Sequence, residues 1–413
     1  MSNSTNPSSR PWPCPSAQTL FRLGLCLCVV LSAALAAAQT PVVPAAIRLD
    51  DSEAPCQGLR VAALGPSNVV VSWTVADGPR RGIYFRQRRN ALWEPVRQVA
   101  GNTGDQPRDV DLAFDTVGRL HLVWTALQSN QRLLYHARLD GANATPQAAA
   151  LKPPSVTDES GDADFPMIGP DAQGGVVVVW QESQAIHSVV CAARLLEDAS
   201  LEDLGRVSGK SLSGMAPQIV ATQPLSVAWY EISETGSDLR VDEWQSAEKK
   251  WRPSAIERQT RAFPPDMQLL LEATPLGLAA CWKDILSDGR SAIKAGFALA
   301  SNATPPAAPP VWATLADPPG DHSRPQLSGS LPGRMTLSWQ VFTQGQQQIR
   351  LASLLQTDKQ PEVVMVSSAA QRFAAMPDHV TIDAWSAVAW SDDARDGGSG
   401  GVYFNEINWS AGH

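Results

Sequence analysis

The segment DAQGGVVVVW (residues 171–180) joins a turn, four valines and a tryptophan. The same construction, DTVGRLHLVW, ends at Trp124. Aligning on the tryptophan extends the series: NVVVSW to Trp73, LSVAW to Trp229, LAACW to Trp282, MTLSW to Trp339 and SAVAW to Trp390. The steps are 51, 56, 49, 53, 57 and 51 residues, and seven of the fourteen tryptophans fall on them, too regular a spacing to be incidental. A period near 50 residues is in the range of propeller blades and too long for most helical repeats.

The rest of the unit repeats as well. Ahead of six of the tryptophans a proline opens a short strand: Pro107, Pro166, Pro217, Pro265, Pro325 and Pro377. Turn-forming residues then separate it from the Trp strand, as in a hairpin. After the tryptophan come a polar loop, a third strand such as GIYFRQRR or GVYFNEI, and a fourth that often opens on an aromatic, as at Trp93, Trp251 and Trp312. Four antiparallel strands per unit make a blade, and the fold expected is an all-β seven-bladed β-propeller. The last unit ends after its third strand, while AAIRLD (residues 45–50) is a spare strand at the front. That strand is expected to complete blade seven and remove the open edge of the ring. Residues 39–413 then form one propeller domain, with the Pro-rich stretch 301–312 as a loop on its rim.

Strand side chains alternate between faces. Val69, Val71 and Trp73 share one face, as do Val176, Val178 and Trp180, while the opposite face carries Ser72, Ala228, Cys281, Ser338 and Ala389. Large residues are expected to pack against the small face of the next blade. His121, on the small face, reads as a satisfied packing residue.

The first 38 residues read differently. Arg10 and Arg22 precede LGLCLCVVLSAALAAA, an apolar run that closes on small residues before Gln39. This is the pattern of a secretory signal peptide, residues 1–38, and it is short of the roughly 20 residues that span a bilayer. A secreted or periplasmic location is expected, with no membrane span in the mature chain. Cleavage removes two arginines and no acid, taking the net charge from −8 to −10. With no basic run, nucleic acid is excluded as a general partner. Cys56, Cys191 and Cys281 remain, widely spaced, which excludes a disulfide scaffold and argues against structural zinc. One bridge among them stays open at this point.

A propeller fold does not specify an activity. Its ligands usually sit at one end of the central channel, where the loops before each first strand meet those after each Trp strand. The candidate ligand-binding residues there are Arg108, Asp109, Asp164, Glu182, Tyr230, Glu231, Arg261, Lys283, Asp284, His322 and Arg324, with Phe165 and Asp392 in the same loops. Carboxylates beside arginines and aromatics suit a polar ligand, sugar-like or carboxylate-bearing. Loops are also polar simply because they meet water. Asp392, Asp393 and Asp396 lack EF-hand spacing and read as a solvated loop rather than a calcium site. No cofactor or metal is expected, and the chain is expected to be a monomer.

The unit P-x-(strand)-D-x-x-G-x-(strand)-W-…-I-Y is carried by Asp115 to Trp124 with Leu134-Tyr135, by Asp171 to Trp180, by Ile83-Tyr84-Phe85 and by Val402-Tyr403-Phe404. It resembles the secreted bacterial sialidase-like, or BNR-like, propellers across residues 45–413. The resemblance implies a glycan-related scaffold. Carried over in full, it would make Arg108, Arg261 and Arg324 carboxylate-gripping arginines and Tyr230 with Glu231 a nucleophile pair. The chain departs from that family: no complete S-x-D-x-G-x-x-W box occurs, Arg48-Leu49-Asp50 stands where Arg-Ile-Pro belongs, and seven repeats replace six. The expected function is binding of a glycan or an extracellular protein on the loop-rich face without catalysis; the alternative is a divergent sialidase-like glycoside hydrolase. Intact-mass measurement of the exported protein should place its first residue at Gln39, and a product retaining Arg22 would refute the leader.

Overall fold

The computed structural model describes residues 41–409, apart from 42, 51–55, 76–77, 100–104, 140–147, 152–160, 185–186, 199, 210–212, 235, 255–268, 275–276, 300–310, 332–333, 356–360, 369–370, 372 and 393–399. The rim loop 301–312 thus falls largely outside the described residues. The described elements are strands, gathered into seven antiparallel sheets. The chain is a seven-bladed β-propeller. The first strands of blades 1 to 7 are Gln57–Gly65, Asp105–Phe114, Asp162–Pro170, Ser213–Thr222, Leu270–Thr274, Asp321–Leu331 and Ala374–Ile382, and they line the central channel. The Trp strands follow, each paired to the first strand of its own blade. Among the described residues no helix is long and apolar enough to cross a membrane.

Blade 7 has the order Ile47–Asp50, Gly401–Asn408, Trp385–Asp392, Ala374–Ile382, so its outer strand comes from the front of the chain. This is the expected closure. The junction is held further by arginines of blade 1. Arg86 Nη1 donates to Leu49 O at 2.8 Å, and Arg88 Nη2 pairs with Glu406 at 2.8 Å, its guanidinium over the Phe404 ring.

The core consists of seven clusters, one per junction between blades. Val69, Val71 and Trp73 pack with Ala387 and Ala389 of blade 7; Leu120, Leu122 and Trp124 pack with Val70 of blade 1; Met335, Leu337 and Trp339 pack with Ala279 and Cys281 of blade 5. Large thus meets small, but the partner is the preceding blade, not the next. Trp73, Trp124 and Trp390 each stack on the tyrosine across the pair, Tyr84, Tyr135 and Tyr403, with centroids 5.8–6.2 Å apart. The D-x-x-G turns are built by their aspartates: Asp115 Oδ1 accepts from the amides of Val117 and Arg119 at 3.1 and 2.8 Å, and Asp171 Oδ1 accepts from Gln173 N. His121 is buried, with Nδ1 3.0 Å from His136 Nε2 and Nε2 3.4 Å from Asp115 Oδ2, a packing residue as expected. Cys56, Cys191 and Cys281 are buried thiols, and burial pushes Cys56 up to about 12.

Along the channel, side chains of one blade hold the backbone of the next. Val61 N donates to Asp378 Oδ2 at 2.6 Å, Ile168 N to Asp111 Oδ2 at 2.9 Å, and Leu271 N to Gln218 Oε1 at 3.0 Å. Asp378, Asp111 and Gln218 occupy one register place, each opposite the residue before the blade's tryptophan. Burial raises Asp378 to about 6, against the pull of Arg60, and lowers the neighbouring His379 to about 4.

These shifts oppose each other in pH. A raised carboxyl favours the protonated fold, so the Asp378 contribution is complete below pH ~3.9 and lost as pH rises through about 6. A depressed histidine favours the neutral fold, so the His379 contribution is complete above pH ~6.5 and lost as pH falls through about 4. Asp378→Asn keeps an acceptor for Val61 N without the charge. It should raise the unfolding free energy from urea melts near pH 8 by on the order of 1–3 kcal/mol, with the gain shrinking as pH falls through about 6 and gone only below pH ~3.9. An equal gain across that range would rule out ionisation as the cause.

Candidate functional site

The first strands share an irregularity that decides which side chains reach the rim. Gly58, Asp109, Phe165, Ala216, Arg324 and Met376 all have φ between 47° and 55°, and the strand register shifts beside each. These are β-bulges. Each lies two residues before the channel-lining place held by Arg60, Asp111, Met167, Gln218, Gln326 or Asp378. In four blades the intervening residue is the proline read from the sequence: Pro166, Pro217, Pro325 and Pro377. The bulge residues therefore form a rim around one mouth of the channel.

A bulge leaves an amide outside the strand ladder, and it must find an acceptor. The residue just after the tryptophan of the preceding blade supplies one. Ala216 N donates to Gln181 Oε1 at 3.1 Å, and Met376 N to Gln340 Oε1 at 3.4 Å. Tyr230, in the same place on blade 4, accepts from Leu269 N at 2.6 Å and is buried.

The rim of blades 2 and 3 gathers charge. Arg108 pairs with Asp164, and its Nε lies 3.3 Å from Asp109 Oδ2. Arg132 Nε reaches Asp164 at 4.0 Å, and its amide donates to Asp162 Oδ1 at 2.7 Å. At the edge Arg81 meets Asp105 at 3.0 Å. Burial raises the Asp109 carboxyl against the opposing pull of Arg108. Next to Asp164, the bulge presents Phe165 with 52 % of its surface exposed. Below the rim lies a channel of about 750 Å3, where Arg60 Nε is 3.3 Å from Asp111 Oδ1 and Asp378 stands close by.

Of the residues nominated from the sequence, the fold brings Arg108, Asp109 and Asp164 together. Phe165 stands beside them, and the remaining described candidates have other surroundings. Glu182 is buried, 4.0 Å from Cys191 Sγ, and burial raises its carboxyl. Glu231 is held by Arg240 at 2.8 Å, Lys283 pairs with Asp321 at 2.8 Å, and Asp284 with Lys294 at 2.6 Å. His322 is fully buried: Nδ1 accepts from Trp339 Nε1 at 3.1 Å and Nε2 sits 3.1 Å from Pro318 O. Arg324 takes the bulge place of blade 6. Arg261 lies outside the described residues, as do residues 393–399 of the Asp-rich loop. Arg48 lies on the outer strand of blade 7, with Nε 3.2 Å from Asp50 O, away from the channel. Sequence reasoning missed Arg60, Asp111, Arg132 and Asp378. Only Asp378 carried a usable signal, a polar residue directly after the strand's proline as in Pro217-Gln218 and Pro325-Gln326; Arg60, Asp111 and Arg132 follow Leu59, Val110 and Gln131 and had none. Among the described residues no group of three His, Cys, Asp or Glu is placed to hold a metal ion.

No family model and no curated protein matches the chain. Solved structures do. A protein of unknown function from Dyadobacter fermentans DSM 18053 superposes with a TM-score of 0.50 at 11 % identity, over 90 % of this chain and 99 % of that one. The polysaccharide lyase Uly1 gives 0.52 at 9 % identity, over 87 % and 91 %. The Trypanosoma rangeli sialidase gives 0.46 at 11 % identity, over 90 % and 60 %. The first two likenesses establish the fold alone.

Tyr230→Phe and His322→Ala should each lower stability by about 1–3 kcal/mol, because each strands a buried N–H. Thermal melts check this. A melting temperature unchanged by both substitutions would contradict the structural roles given to these two residues.

Proposed function

We propose that this protein is a glycan-binding propeller whose site is the channel mouth at blades 2 and 3, and that it binds without catalysing a reaction. The observation that carries the reading is Phe165, held out by its bulge beside the Arg108–Asp164 pair. An exposed aromatic offers an apolar face for the C–H side of a sugar ring, and the adjacent ions offer donors and acceptors for its hydroxyls. Such pairing of one flat apolar group with fixed polar groups is how a polar, ring-shaped ligand is oriented.

The acids of this face support binding over catalysis. Glycoside hydrolysis uses two carboxyl groups roughly 5–10 Å apart, free to move a proton or attack. Here Asp164 is tied to Arg108, Glu231 to Arg240 and Asp284 to Lys294, while Asp111 and Asp378 each commit an oxygen to the backbone of the neighbouring blade. The Tyr230 hydroxyl is occupied by Leu269 N. Uly1, similar in fold, is a polysaccharide lyase, which is in keeping with a glycan as ligand. We also read the protein as exported, on the leader-like residues 1–38.

A glycan array followed by calorimetry tests the reading. Phe165→Ala and Arg108→Ala should each weaken the best glycan by roughly tenfold or more, about 1.4 kcal/mol, with melting temperature preserved. An empty array with folded protein, or turnover of a fluorogenic glycoside panel, would refute it.

A further inference from the structure

Resting on that reading of the site, we infer that the ligand class is neutral oligosaccharide, selected against uronates and sialylated glycans because the rim ions are already compensated among themselves. At blades 2 and 3 the rim holds Arg81, Arg108 and Arg132 against Asp105, Asp109, Asp162 and Asp164, and each of these three arginines lies at a carboxylate, while the exposed Arg324 belongs to the bulge of blade 6. Arg108 is the most accessible cation beside Phe165, with 44 % of its side chain exposed, and it is engaged by both Asp109 and Asp164.

A carboxylated sugar must compete with those aspartates. Taking Arg108 from Asp164 leaves a carboxylate that is only 16 % exposed with the longer 4.0 Å contact to Arg132 as its remaining ion pair. Removing the nearer cation from a carboxylate this shielded is unfavourable, though less so than in a fully buried pair because Arg108 meets solvent. The net charge, −8 for the full chain and −10 without residues 1–38, adds long-range repulsion. A neutral sugar has no such conflict. A guanidinium carries five N–H donors and each carboxylate about four lone-pair sites, so paired ions keep spare donors and acceptors side by side. Vicinal hydroxyls, which both donate and accept, fit that mixed edge while the ring lies on Phe165.

The test is calorimetric titration of the protein with xylohexaose, cellohexaose, mannohexaose and arabinohexaose, and with tetragalacturonate and sialyllactose. At least one neutral probe should bind at least about tenfold tighter than either anionic probe. Its affinity should change less than about twofold between roughly 50 and 300 mM salt, as expected for an interaction without net charge. Asp164→Asn releases Arg108 from one partner and should improve the anionic probes by about five- to tenfold. Asp109→Asn does the same from the other side and serves where the first variant melts early. Tighter binding of the anionic probes overturns the inference and leaves glycan binding standing. Failure of both variants to improve the anionic probes overturns it too. Silence from all six probes with folded protein removes the inference together with the glycan reading.

Discussion

The ring depends on one constraint: an amide displaced from its own sheet must be answered by the neighbouring blade. The bulges at Ala216 and Met376 each free such an amide, and Gln181 and Gln340 receive them. Two residues further in, Asp378, Asp111 and Gln218 answer Val61, Ile168 and Leu271. Buried backbone groups left unmet are costly, so at these five junctions the bonds fix how one blade stands against the next more sharply than apolar packing alone. They also explain why polar residues line an otherwise apolar core.

The same bulges create the site. A regular strand would alternate Asp164 and Phe165 to opposite faces. With φ at 50°, Phe165 leaves that alternation and is presented at the rim. The sites of charge follow from the same geometry, since Asp109 is the bulge residue of blade 2 and brings Arg108 toward Asp164. Architecture and candidate chemistry thus share a cause, and the rim composition varies freely, from Gly58 to Met376, while the bulge persists.

The architecture was legible in the sequence because it rests on periodic, local signals. Seven tryptophans at even spacing mark the Trp strands, Asp115 and Asp171 mark turns that they then cap themselves, and a spare strand at 45–50 matched a missing one in the last unit. The site was only partly legible. Arg108, Asp109 and Asp164 were nominated because they sit in the right loops. Gln181, Tyr230 and His322 sit in equally polar positions, yet they are spoken for by a neighbouring blade or by Trp339. Composition cannot separate a polar side chain that faces solvent from one that meets an amide many residues away. Arg132 belongs to the third strand of its blade, and nothing local ties it to Asp164.

Closure through Ile47–Asp50 has a kinetic side. Blades are sequences of hairpins, and hairpins form from near neighbours. The last junction is different in kind. Its bonds join residues 317 and 318 positions apart, Val61 to Asp378 and Arg88 to Glu406. Until both ends of the chain are present, the large face around Trp73 and the small face at Ala387 and Ala389 stay uncovered and complementary. In one chain the two faces are linked and meet at high effective concentration, so closure within the chain is favoured over pairing with another copy. Closing this ring therefore carries the largest loop-closure cost of the junctions described, because its contacts span more than three hundred residues.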